Sequence, residues 1–301
     1  MHHQSIPELS FRLLKAKDAE TIALLKQALE QYGFFTITDH GLDDSLLEQS
    51  YEASKNFFNL PLDIKNKYAQ PQFAGARGYT HFGKETALGE SVADLKEFWH
   101  HGPETDASFD ARIHSNLSVA ELNNFNQHCA ELFQQLNQLG MSVLESIALI
   151  LNKPENFFDS WVAKGNSVLR LIHYPALTDA SNELRARPHE DINLITLLVG
   201  AEESGLEVKS QQGGWIPIDA KSKSIVCNIG DMMQLVTRSK LKSTTHRVVD
   251  HDIKNSKPRY SMPFFLHPSP EIMLNSIVDD SPESISAHEF LDERLKAIKL
   301  Y

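Results

Sequence analysis

Apolar residues recur every three to four positions as far as about residue 160, and every two positions from Ser167 onward. A helix can bury only a stripe with the first period and a strand only a face with the second, so the chain must fold as a helical half followed by a β half. In the first half, Ile22, Leu25 and Leu29 place a helix between Asp18 and Tyr32, and Gly33 stands where a left-handed cap would end it. Phe34 to Thr38 reads as a short strand. A second helix, Ser45 to Leu60, stops at Pro61. Ser118 and Glu121 form a capping-box signature for a long scaffold helix, whose stripe runs from Leu122 through Phe133 and Leu139 to Ile147, with Gly140 placed to bend it.

Short β-branched and apolar runs follow at Val168–Tyr174, Ile192–Val199, Leu206–Val208, Trp215–Ile218, Ser224–Ile229, Met232–Thr237, Arg247–Val249 and Tyr260–Leu266. Such a series predicts an antiparallel barrel or jelly roll. Ser286 and Glu289 open a C-terminal helix to Leu300 with a second capping box. Between the two helices and the scaffold helix, residues 69–116 carry five glycines at 75, 78, 83, 89 and 102 with little helical period, and are expected to form loops and short strands around something.

Composition limits the partners. A net charge of -11 has the wrong sign for a surface that neutralises phosphates, so no nucleic-acid partner is expected. No apolar run approaches the ~18 residues that span a bilayer, so no membrane partner is expected either. Met1 to Ser10 shows no secretory signal, and His2 and His3 read as a mobile terminus. Cys129 and Cys227 are too few and too far apart for a disulfide framework, which points to a cytoplasmic protein, with Cys227 a core residue.

Two residues apart on a strand, His189 and Asp191 present an imidazole and a carboxylate side by side, as a metal requires. His246, at the head of a later strand, is the best third ligand, the other reading being a strand-end surface histidine. Two histidines and one carboxylate with open positions describe the facial triad of non-haem Fe(II) oxygenases. Arg259 and Ser261 share one face of an apolar strand that Pro263 and Phe265 continue. A buried guanidinium needs a counter-charge, met either by a protein carboxylate or by a bound one. His100 and His101 read as a solvated loop pair, and Asp231, after Gly230, as a structural turn residue.

At this point the sequence resembles the isopenicillin N synthase-like Fe(II)/2-oxoglutarate-dependent dioxygenases. N-terminally the resemblance rests on Ile6-Pro7, Gly33-Phe34-Phe35, His40-Gly41, Phe57-Phe58, Leu60-Pro61, Lys65, Gly78-Tyr79 and Asp94-Leu95-Lys96-Glu97. C-terminally it rests on His189-x-Asp191, Gly205-Leu206, Gly230-Asp231, His246-Arg247-Val248, Arg259-x-Ser261 and Phe264 to His267. It implies a mainly β protein with α, in which a double-stranded β-helix (a cupin-like jelly roll) forms the core beneath a helical N-terminal half and a long scaffold helix. The implied division is a dioxygenase N-terminal region at 1–116, scaffold helices at 117–165, the catalytic jelly roll at 166–270 and a C-terminal segment at 271–301.

The resemblance also implies Fe(II) held by His189, Asp191 and His246, and 2-oxoglutarate gripped by Arg259 and Ser261 with Tyr174 beside it. Dioxygen would be the second co-substrate, and a small molecule would be hydroxylated, desaturated or cyclised with release of succinate and carbon dioxide. Where the family often has asparagine two residues before the tyrosine, this chain has Ile172. Substrate contacts are expected from residues 75–104, with Arg77, Tyr79, Phe98 and Trp99 as the candidates, and from the C-terminal segment. Two other readings stand beside this one: an oxidase of the same fold that uses no 2-oxoglutarate and binds its substrate's carboxylate at Arg259 and Ser261, and a catalytically silent jelly-roll binding protein.

Overall fold

The computed structural model describes residues 5–177, 184–199, 205–218, 223–280 and 284–298. His2, His3 and Leu300 lie outside them. The N-terminal half contains β1 (Glu8–Ser10), α1 (Phe11–Lys15), α2 (Ala19–Gln31), β2 (Phe34–Thr38), α3 (Asp44–Phe58), α4 (Leu62–Asn66), β3 (Gly78–Thr80), β4 (Glu97–His101), α5 (Phe125–Ile150) and α6 (Asp159–Val162). The C-terminal half contains β5 (Val168–Tyr174), β6 (Leu184–His189), β7 (Ile195–Val199), β8 (Leu206–Lys209), β9 (Trp215–Pro217), β10 (Ile225–Ile229), α7 (Asp231–Val236), β11 (His246–Val249), β12 (Arg259–Leu266) and α8 (Ala287–Ala297).

The strands form two sheets, an eight-stranded one in the order β1-β2-β10-β7-β12-β5-β4-β3 and a four-stranded one in the order β6-β11-β8-β9. Among the described residues, the named strands pair antiparallel with one another except β1 with β2. Alternation along the strands divides the large sheet into two faces. Leu169 and Leu171 of β5 and Tyr260, Met262, Phe264 and Leu266 of β12 join the apolar core that α5 and α3 cover. Their neighbours Val168, Arg170, Ile172 and Tyr174, with Arg259, Ser261, Pro263 and Phe265, face a cavity between the sheets. The result is the jelly roll with a helical N-terminal region.

Three local expectations are corrected. The long helix begins at Phe125, not at Ser118, because Glu121 is engaged by Tyr68 and Lys67, while Asn126 ties down Leu117 and Val119. Gly140 does not interrupt it; a methyl group there would come within 2.5 Å of Leu266 Cδ1, so the glycine lets β12 approach the helix. Met232–Thr237 is largely helix, Asp231–Val236, since a six-residue apolar run carries no decisive period. The second capping box is present at Ser286 and Glu289.

Tyr79 and Trp99 fall on the helix side of the sheet. Trp99 is fully buried, packed edge-on against Phe57 and Phe125, and Tyr79 donates its hydroxyl to Glu97. Trp99→Ala is therefore expected to cost about 3–5 kcal/mol of stability through the cavity it leaves. Chemical denaturation measures this, and an unchanged midpoint would show that Trp99 is not a core residue.

Candidate active site

The site is assembled at the edges of strands. His189 ends β6 and pairs directly across the small sheet with His246, which begins β11; their rings lie 4.3 Å apart. Asp191 comes two residues after His189, past the strand end rather than within it, in the connection to β7. Pro188 is tolerated in β6 because that strand is the edge of its sheet, with no ladder bond to lose on its outer side. Possible ligand atoms of His189, Asp191 and His246 all lie within 4.8 Å of one another, the one such cluster among the described residues.

Neighbouring groups select the lone pairs that face this point. His189 Nδ1 donates to the carbonyl of Arg187 at 2.6 Å, and His246 Nδ1 to that of Thr244 at 3.2 Å. A carbonyl can only accept, so in the neutral rings both Nε2 atoms are left as acceptors. Burial above all, then the neighbouring His246 and Lys96, pushes His189 down to about 4, so its ring is neutral at physiological pH. Asp191 Oδ2 accepts from Thr196 Oγ1 at 2.6 Å and Asn228 Nδ2 at 2.8 Å, while Oδ1 faces His246 Nε2 at 3.9 Å. Burial opposes the charge on Asp191, but the two imidazoles and these hydrogen bonds outweigh it and hold the carboxyl below its usual range. Two nitrogen lone pairs and one oriented carboxylate oxygen form a donor set that fits Fe(II).

The cavity beside the triad measures about 370 Å³. Register sets Arg259 opposite Tyr174 and Ser261 opposite Ile172, and the Arg259 guanidinium lies 5.3 Å from the Tyr174 ring. Ile172, Leu198, Leu206, Val226 and Val248 give this end apolar walls. Elsewhere the walls are charged. Arg170 donates to His100 Nε2 at 2.6 Å and to Glu85 at 3.1 Å, and Lys96 sits 2.9 Å from both Glu85 and Asp94. Arg77 also lines the cavity. Phe98, on the cavity side of β4, is covered by Arg170 at 4.2 Å and does not reach the open space.

Sequence reasoning missed several of these residues. Thr196 and Asn228 carry no motif and are recognised only by their bonds to Asp191. His100 and His101 are buried in β4 rather than solvated. Asp231 donates its backbone N–H to the Asp191 carbonyl at 2.7 Å, and its carboxylate pairs with Arg294 of α8 at 3.2 Å. The C-terminal segment, by contrast, was expected near the substrate, and it lines one side of the cavity through Leu291, Arg294, Leu295 and Ile298.

Comparison with known proteins agrees with this arrangement. Residues 6–127 match the family described as non-haem dioxygenase in morphine synthesis N-terminal, and residues 165–268 match the 2OG-Fe(II) oxygenase superfamily. A 2-oxoglutarate-dependent dioxygenase of Dothideomycetidae sp. (strain 11243) is 32% identical, covering 93% of this chain and 90% of its own. A crystallised 2OG-Fe(II) oxygenase family protein from Caulobacter crescentus is 42% identical with a TM-score of 0.88, covering 98% of this chain and 99% of its own. The full-length Neurospora crassa protein crystallised with alpha-KG and thymine is 27% identical with a TM-score of 0.86, covering 98% of both chains. The chain belongs to the 2OG-Fe(II) oxygenase superfamily. It is a non-haem dioxygenase that uses Fe(II), 2-oxoglutarate and dioxygen, and among the described residues no helix is long and apolar enough to cross a membrane.

Because Thr196 and Asn228 orient Asp191, Thr196→Val and Asn228→Leu are each expected to weaken Fe(II) binding about 10- to 100-fold, although neither residue is a ligand. Titration of the apo protein with Fe(II) under anaerobic conditions measures the effect. Parental affinity in both variants would remove these residues from the site.

Proposed function

We propose that the protein hydroxylates a small molecule, with Fe(II) on His189, Asp191 and His246, and with the distal carboxylate of 2-oxoglutarate on Arg259 and Ser261 beside Tyr174. The observation that carries this reading is the alternation along β12, which turns Arg259 and Ser261 into the same enclosed space as the triad. A five-carbon diacid can chelate a metal with its 2-oxo acid end and meet a guanidinium with the other. The fork of Arg259 suits a carboxylate bidentately, and Ser261 adds a hydroxyl donor.

When bound, the iron supplies the oxidising chemistry, consuming dioxygen and 2-oxoglutarate and releasing succinate and carbon dioxide as one oxygen atom enters a C–H bond of the substrate. The protein's own residues orient and shield. Ile172, Leu198, Leu206, Val226 and Val248 exclude water around the co-substrate chain, so that the contact at Arg259 acts in a low dielectric. Ile172 gives an apolar wall where relatives often offer an amide, leaving Arg259, Ser261 and Tyr174 as the polar contacts at that end. The remaining cavity, beneath α8, takes the substrate, and Arg77 is the one sequence-predicted substrate residue that faces it. The Neurospora crassa structures with alpha-KG support giving Arg259 to 2-oxoglutarate rather than to a substrate carboxylate.

Anaerobic protein loaded with Fe(II) should develop a weak visible charge-transfer band on adding 2-oxoglutarate, and aerobic protein should release succinate. Arg259→Ala should raise the required 2-oxoglutarate concentration roughly ten- to several-hundred-fold, since a buried charge-assisted contact is worth ~1.5–3 kcal/mol or more. Iron binding should survive. An unchanged 2-oxoglutarate requirement would remove Arg259 from this role.

A further inference from the structure

Among the described residues, most of the buried charges around the cavity meet an opposite charge, and Glu190, an exposed carboxylate of the lining, accepts from Thr245. Lys96 and Arg170 are matched by Glu85 and Asp94, and Arg294 by Asp231. Asp191 faces the metal point, and Arg259 serves the co-substrate. Arg77 is left over: it is 1% exposed, and nothing but burial acts on its charge, because no carboxylate of the described residues pairs with it. Burial lowers it only to about 10, so it stays a cation.

Its guanidinium donates to three neutral acceptors, the carbonyls of His114 at 3.0 Å and Ala76 at 2.6 Å and Asn166 Oδ1 at 3.0 Å. A guanidinium has five N–H groups, so donor capacity remains. The group is also held in place from behind: a methyl on Gly102 would come within 2.2 Å of its Cζ, Nε and Nη2. A buried cation without a counter-charge is costly, and a fixed one facing a cavity invites an anion.

A second, independent feature lies on the same cavity wall. His267 follows β12, lines the cavity, and has a buried Nδ1 with no hydrogen-bond partner. Burial pushes this ring down to about 4, so it is a neutral hydrogen-bonding group, within electrostatic reach of both Asp191 and Arg77. The surrounding surface contributed by Val168, Phe265, Leu291, Leu295 and Ile298 is apolar.

Resting on the oxygenase reading of this cavity, we propose that the substrate is an apolar molecule with a single carboxylate, which Arg77 binds, with His267 Nδ1 adding a hydrogen bond. One negative charge offsets that of Arg77, whose guanidinium no carboxylate of the described residues meets. The carboxylate would anchor one end of the molecule and leave its apolar body to reach toward the triad.

Isothermal titration of anaerobic protein, loaded with Fe(II) and saturated with 2-oxoglutarate, tests this with phenylacetate, cinnamate and octanoate, each against its primary amide. At least one acid should bind at least about tenfold more tightly than its amide. That preference should fall to near unity in Arg77→Met, and also in Gly102→Ala, which displaces the guanidinium without removing its charge. The ratio of acid to amide affinity is not moved by a fraction of misfolded variant, and the visible Fe(II)–2-oxoglutarate band, recorded on the same samples, should be unchanged. With the band present, amides binding as well as acids, no binding of any acid, or a preference retained in Arg77→Met would overturn the proposal and leave Arg77 as a brace between loops. Absence of the band in the parent protein would instead sink the oxygenase reading, and the substrate proposal with it.

Discussion

The structure depends on a constraint that no side chain can evade: successive residues of β5 and β12 must point to opposite faces of one sheet. One face meets α3 and α5 and is apolar except for His173, which pairs with Glu97. The other is enclosed by the small sheet and α8 and carries Arg170, Arg259 and Ser261. Shifting either strand by a single residue would drive guanidinium groups into the helix interface and expose leucines to the cavity, at a cost that holds the register. The position of the reactive groups is thus a by-product of forming the core.

Enclosing that much charge is tolerable because the charges are organised. Lys96 bridges Glu85 and Asp94, Arg170 ties Glu85 to His100, and burial keeps His100, His189 and His267 neutral. The carboxyl of Asp191 is held below its usual range, with Thr196 and Asn228 both donating to Oδ2. The same bonds also decide which of its oxygens faces the metal point. Stability and preorganisation are here served by the same contacts.

Much of this was legible in the sequence where a period or a cap was long enough to be unambiguous. β2 and β5 have the bounds their alternation predicts, and α2, α3 and α8 lie within a few residues of theirs. The triad was visible because His189 and Asp191 are close in sequence and His246 heads a strand. What was not legible depended on tertiary contacts. Tyr79 and Trp99 looked like a substrate mouth because aromatic residues among glycines suit a binding loop, yet pairing of β3 with β4 turns them into the core. Glu121 looked like a cap until Tyr68, more than fifty residues away, engaged it. Thr196, Asn228 and Arg294 lie on three separate elements that only the fold unites.

The central claim is that one divalent ion sits among three atoms already selected by their hydrogen bonds. Diffraction at the iron absorption edge, from crystals grown with Fe(II) and 2-oxoglutarate, tests it most directly. The account predicts one anomalous peak about 2 Å from Nε2 of His189, Nε2 of His246 and Oδ1 of Asp191. A peak elsewhere, or coordination through either Nδ1, would contradict it.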